Sequence, residues 1–78
     1  MAADHHLSAL VRDEPYVLTR ITGLFSHRGH AIRSLTVTEA DHARHHWIEV
    51  TVQGDPDAMD RAVRHLEKPH DVLQVTRH

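Results

Sequence analysis

Leu18-Thr19-Arg20-Ile21-Thr22-Gly23-Leu24-Phe25-Ser26-His27-Arg28-Gly29, followed after His30 by Ala31-Ile32-Arg33-Ser34-Leu35-Thr36-Val37-Thr38-Glu39, changes its apolar period from helical to extended at a glycine. In the first half Val17, Leu18, Ile21, Leu24 and Phe25 recur at i, i+3, i+4 and i+7. That spacing predicts an amphipathic helix of about three turns between Tyr16 and Arg28. His27 and Arg28 meet the negative end of its dipole, and Gly29 stands where a left-handed cap residue is common. The second half is rich in β-branched residues and reads as a strand. Leu35 and Val37 alternate cleanly, whereas Ile32 is out of phase by one, so a bulge near Arg33-Ser34 or a late strand start is expected.

Working outward, Leu7, Ala9 and Val11 alternate within His5–Val11 and make a first strand with one buried face. Asp13-Glu14-Pro15 breaks it and is expected to open the helix, the acids capping free N–H groups and the proline supplying a helical φ. Beyond Glu39, residues 40–44 read as a polar turn. A third strand runs from about His46 to Gln53, with Ile48, Val50 and Val52 inward and Trp47, Glu49 and Thr51 outward. Gly54-Asp55-Pro56-Asp57 restarts helix, with Asp55 as N-cap and Pro56 at the first helical position. Met59, Ala62, Val63 and Leu66 form its apolar stripe, and Lys68-Pro69 ends it. His70 to Arg77 supplies a last strand carrying Val72, Leu73 and Val75. The order is β-α-β-β-α-β in a single domain, 1–78, of class α+β. It is the ferredoxin-like split βαβ, a four-stranded antiparallel sheet with both helices on one face. Trp47 points towards the other face and hints at cover for it.

A chain of 78 residues buries little more than half of the surface its unfolded form exposes. It has no cysteine, so neither disulfides nor thiolate–metal sites add stability, and a reducing, cytoplasmic setting is expected. Self-association or a partner subunit is the expected source of further burial. No apolar run approaches the roughly 18 residues of a membrane span, and MAADHHLSALVRDE lacks the pattern of a signal peptide. A formal charge of −2 with acids and bases interspersed, and one each of Phe, Tyr and Trp, argue against nucleic-acid binding. The ten histidines would swing the net charge to positive on mild acidification.

Those histidines invite a metal reading through His5-His6, His30, His42 and His45-His46. Neighbouring strand residues point to opposite faces, so each pair gives one ligand per face at most, and surface histidines are expected rather than a metal site. Ser8, Ser26 and Ser34 sit in no Gly-flanked elbow. Asp55 and Asp57 read as helix-capping acids, not paired catalytic carboxylates. Nothing converges for catalysis, so the chain is expected not to be an enzyme.

The stretch from Leu18 to Val37 resembles the helix and strand signature of acetolactate synthase small subunits, which reads approximately LSRVxGLFSxRGYNIxSLTV. Leu66-Glu67-Lys68-Pro69-His70-Asp71-Val72 is similar to that family's LxKLxDV, with Pro69 in place of the usual Leu. The resemblance covers nearly the whole chain. It implies an ACT domain, a homodimer through ACT sheet edges and helices, and docking on a large catalytic subunit. That subunit would carry thiamine diphosphate, Mg and FAD, with none bound by this chain. Its activity in branched-chain amino-acid biosynthesis would be stimulated, with a branched-chain amino acid as candidate effector. The stop at His78 matches the short, single-ACT subunits.

In such domains an amino acid lies near the loop between the first strand and first helix, against the second strand of the neighbouring copy. The implied effector residues are Asp13, Glu14, Pro15, Tyr16, Ala31 and Ile32. The family's Asn-x-x-Gly and following Asn are here Asp13, Tyr16 and Ala31. Asp13 would repel a carboxylate, Tyr16 would put a ring where backbone N–H groups need approach, and Ala31 removes an amide. Partner or dimer contact is expected at Arg20, Gly23, Leu24 and His27 on the helix and at Ser34, Thr36 and Thr38 on the strand. Gly23 costs about 1 kcal/mol against Ala inside a helix; close approach of a partner helix and close packing on its own sheet would each explain it. The alternative function is a stand-alone ACT-domain amino-acid sensor with no dedicated enzyme partner, and a third is a histidine-rich metal-binding module.

Overall fold

The computed structural model describes residues 3–41 and 44–78. Six elements follow in the order expected: β1 (Ala3–Arg12), α1 (Val17–His27), β2 (Ala31–Glu39), β3 (His45–Gly54), α2 (Pro56–Leu66) and β4 (Val72–Arg77). The strands form one sheet in the order β2-β3-β1-β4, and every pairing is antiparallel. Among the described residues no helix is long and apolar enough to cross a membrane.

Alternation decides which face is buried. Across β1 and β3, Leu7 stands opposite Val50 and Ala9 opposite Ile48, so these side chains share a face. Val17, Ile21 and Phe25 of α1 and Met59, Ala62 and Leu66 of α2 pack with them into one cluster. Both helices therefore cover that face. On the other face Leu10 pairs with Trp47, both half-buried, amid His6, Ser8, Glu49 and Thr51.

The register carries two irregularities. Ile32 stands opposite Val52 and Ser34 opposite Thr51, leaving Arg33 as the extra residue, so the bulge expected near Arg33-Ser34 is present. It returns Ile32 to the same face as Leu35 and Val37. A second shift sets Val11 opposite Val72 and Leu10 opposite Gln74, and Leu73 is left exposed rather than joining the apolar face.

Two helix expectations need correction. Asp13, Glu14 and Pro15 do not open α1: Tyr16 is its N-cap, in a left-handed conformation, and no acid lies in the first turn. The chain uses those three residues to leave the sheet before the helix starts. Leu18, placed in the apolar stripe by spacing, is exposed, and Leu24 is only partly buried. Gly29 takes φ 79°, the left-handed stop read from the sequence. Asp55 is the N-cap of α2 with Pro56 next to it, as expected.

Phe25 has no exposed surface and is the largest side chain in the core. Phe25→Ala should cost about 3–5 kcal/mol, against under about 1 kcal/mol for Leu18→Ala, both read as shifts in the urea midpoint.

Candidate functional site

The end of the sheet where β1 passes into α1 holds most of the expected effector residues. The Arg12 N–H donates to the Asp71 carbonyl oxygen at 2.8 Å and the Glu14 N–H to the Arg12 carbonyl oxygen at 2.8 Å. These bonds fold residues 12–16 against the α2–β4 connection. Tyr16 then takes φ 71°, a conformation that costs an L side chain energy and glycine very little. Its ring turns outward, 78% exposed. The ring stands beside the loop rather than within the core.

Beneath the loop lies an open depression of about 230 Å³. Asp13, Glu14 and Tyr16 line it from the loop, Leu18 and Thr19 from the helix start, and Val37 and His46 from the sheet. Asp13 Oδ1 lies 3.8 Å from His46 Nδ1, so protonation of His46 would create an ion pair there. Pro15 lines a second depression, of about 340 Å³, with Glu14, Tyr16 and Arg20.

Ala31 and Ile32 lie elsewhere. They pair with Gln53 and Val52 at the start of β2, whereas Glu39, at its far end, pairs with His46 beside the loop. Eight residue steps of strand separate the two ends, roughly 27 Å. One copy of the chain therefore holds four of the six expected effector residues at the loop, without Ala31 and Ile32.

The expected contact residues also divide. Ser34, Thr36 and Thr38 stand opposite Thr51, Glu49 and Trp47 and so face away from the helices. Gly23 and His27 are exposed on α1, while Arg20 and Leu24 line the cleft between α1 and α2. These seven residues do not share one surface. A Cβ built on Gly23 would meet no atom within 4 Å, which rules out close packing on its own sheet. What the spacing did not single out is the helix-side edge of β2, where Leu35 and Val37 stand 37% and 45% exposed beside Leu18. Their alternation was legible; their lack of cover was not.

Asp71 was read only as part of a motif, and it is buried. Its carboxylate accepts from Arg20 at the cleft, and its other oxygen, Oδ1, has no hydrogen-bond partner among the described residues. On the far side of the cleft Arg28, then burial, Lys68 and Arg64 push the His65 pKa below its ordinary value. Asp60 is held below the ordinary carboxylate range, chiefly by the hydrogen bond from Arg77.

The histidines serve locally. His5 Nε2 donates to the Gly54 carbonyl oxygen at 3.0 Å and His6 Nδ1 lies 3.0 Å from Thr51 Oγ1. Ser8 Oγ lies 2.7 Å from His78 Nε2 on the sheet face away from the helices. Among the described residues no three His, Asp or Glu side chains come together as metal ligands; His42 lies outside the described residues.

Fold and loop together define a small βαββαβ domain with an open strand edge and a loop depression beside it. The family model of the ACT domain matches residues 13–75, and the chain belongs to that family. Within it, the chain is similar to the protein of Methanothermobacter thermautotrophicus named "Probable acetolactate synthase small subunit", 35% identical over 71 residues, covering 91% of this chain and 42% of that one. It is 37% identical over 70 residues to the acetolactate synthase isozyme 3 small subunit of Escherichia coli, covering 90% and 43%. The solved acetolactate synthase small subunit from Thermotoga maritima superposes with a TM-score of 0.84 at 29% identity, over 96% of this chain and 47% of that one. The chain thus spans less than half the length of these relatives.

Replacing Tyr16 by Gly should stabilise the domain by about 0.5–1 kcal/mol, because relief of left-handed strain outweighs the added freedom of the unfolded chain. A urea midpoint that falls instead would show that the Tyr16 ring holds the loop.

Proposed function

We infer that this chain is a non-catalytic regulatory unit that pairs with a second copy and stimulates the catalytic chain of an acetolactate synthase in branched-chain amino-acid biosynthesis. The observation that carries this reading is similarity at 35–37% identity across nine-tenths of the chain to small subunits of that enzyme. Thiamine diphosphate, Mg and FAD belong on this reading to the catalytic partner, and the absence of cysteine suits work in the cytoplasm. Stimulation would be a population shift: binding the active arrangement of the catalytic chain more tightly than the inactive one.

The geometry supports pairing through β2. It is an edge strand, and Leu35, Val37 and Leu18 leave an apolar strip along its helix side. An unpaired edge of this kind is a template for another strand. Antiparallel pairing of two β2 strands about a two-fold axis sets the Ala31 end of one copy beside the Glu39 end of the other. That brings Ala31 and Ile32 of the second copy to the loop of Asp13, Glu14, Pro15 and Tyr16. A branched-chain amino acid is the candidate effector for this completed site. Gly23, with open space over it, is left for close approach of the catalytic chain.

The deciding experiment measures acetolactate formation by the catalytic chain from the same genome, with and without this protein, across a valine titration. Stimulation is the expected result, and Val37→Asp should abolish it together with the dimer seen by sedimentation. Absence of stimulation by a folded wild-type chain would favour a stand-alone amino-acid sensor. Gly23→Ala should stabilise the isolated chain by about 0.5–1 kcal/mol and weaken stimulation; stronger stimulation would remove Gly23 from the contact.

A further inference from the structure

A cavity of about 90 Å³ opens between α1 and α2, lined by Ile21, Leu24, Leu66 and Val72. Its wall is almost wholly apolar, and its size suits one aliphatic side chain and is small for a larger ligand. Of the ionisable side chains in the lining, Arg20 and Asp71 are paired with each other, which leaves His65, half-buried on α2.

Cations gather around that histidine. Arg28 caps the end of α1, Arg64 lies in the last turn of α2, and the Lys68 N–H donates to the His65 carbonyl oxygen at 3.3 Å. All three side chains are exposed, and among the described residues none is in an ion pair. Asp60, one turn before Arg64, is taken by Arg77. The charges that lower the His65 pKa are Arg28, then Lys68 and Arg64, with no carboxylate acting against them. Like charges gathered without a counter-charge repel one another, and an anionic partner would relieve that repulsion.

We propose that the cleft between α1 and α2 docks an acidic segment of the catalytic chain, one aliphatic side chain entering the cavity while neighbouring carboxylates meet Arg28, Arg64 and Lys68. The proposal rests on the reading of this chain as a regulatory subunit and adds the chemistry of the segment that docks. The cations come from two helices and border an apolar cavity, which an inorganic anion would leave empty. Gly23, beside Leu24, has open space over its α-carbon, so a partner backbone can approach α1 there. Arg28 and Arg64 carry planar forks that match carboxylates. In such an arrangement the charged rim steers the encounter and fixes orientation, and the aliphatic anchor supplies the buried centre.

The test is calorimetry of this protein with the purified catalytic chain from the same genome, at low ionic strength. Arg28→Gln with Lys68→Gln should weaken binding about tenfold. Added NaCl should weaken wild-type binding more steeply than binding of that variant. Leu24→Phe, which fills the cavity and changes no charge, should also weaken binding about tenfold. Arg12→Gln with Arg33→Gln makes the same change of net charge on exposed residues of β1 and the β2 bulge, and should alter affinity less than about twofold. Should one variant fail to fold by circular dichroism, the other and the salt dependence decide. Equal weakening by the two double variants, or unchanged affinity in the folded cleft variants, would overturn the proposal. Displacement by inorganic phosphate beyond that of NaCl at equal ionic strength would also overturn it, marking a phosphate site instead. A wild-type chain that does not bind the catalytic chain at all would sink the regulatory reading and the proposal with it, whereas binding indifferent to the cleft variants sinks the proposal alone.

Discussion

Everything in this domain depends on the pairing of β1 with β3, which sets Leu7 against Val50 and Ala9 against Ile48 on one face. A slip of one residue would turn all of them to the opposite face. Fixed in that register, they give Phe25, Ile21, Met59 and Leu66 something to bury against, and two helices of 11 residues suffice to cover the centre of the sheet. They do not suffice to cover its edge. Leu35 and Val37 of β2 face the helix side and stay exposed, with Leu18 of α1 lining the same depression as Val37. Among the described residues the two helices leave that edge open.

Much of this was legible in the sequence. Period 3.6 in α1 and α2, period 2 in β1 and β3, Gly29 and Asp55-Pro56 gave the order and most boundaries. The phase break at Ile32 announced the bulge at Arg33. What stayed hidden was what depends on three-dimensional neighbours. Leu18 has the spacing of a core residue, yet the side of α1 it occupies looks past the sheet edge. Leu73 falls out of the core through a register shift that no local pattern signals. Asp13 and Pro15 have the chemistry of a helix start, but the turn needs those residues first and leaves Tyr16 to cap in a strained conformation.

The candidate site was legible as a list and not as a place. Asp13 to Tyr16 and Ala31–Ile32 belong to opposite ends of β2 in one copy, and only a neighbour can bring them together. The seven contact residues likewise scatter over the open sheet face, the exposed side of α1 and the helix cleft. Asp71 shows the reverse case. The sequence placed it in the last strand, read from His70, and in a family motif; it lies just before β4, buried, with its carboxylate held by Arg20. Burial of a charge is invisible to composition and periodicity alike.

The central claim, that β2 of one copy pairs with β2 of another and completes the loop site, can be tested by cross-linking. The chain has no cysteine, so single cysteines placed in turn at Ser34, Leu35, Thr36 and Val37 are unambiguous reporters. Antiparallel pairing about a two-fold axis brings the two copies of a central residue to a Cα separation of about 4.5–5.5 Å, within reach of a disulfide. The account predicts a disulfide-linked dimer that peaks at one of these positions and falls away on either side, with none from Gln74→Cys on the β4 edge. Cross-linking through Gln74→Cys, or at no position along β2, would contradict it.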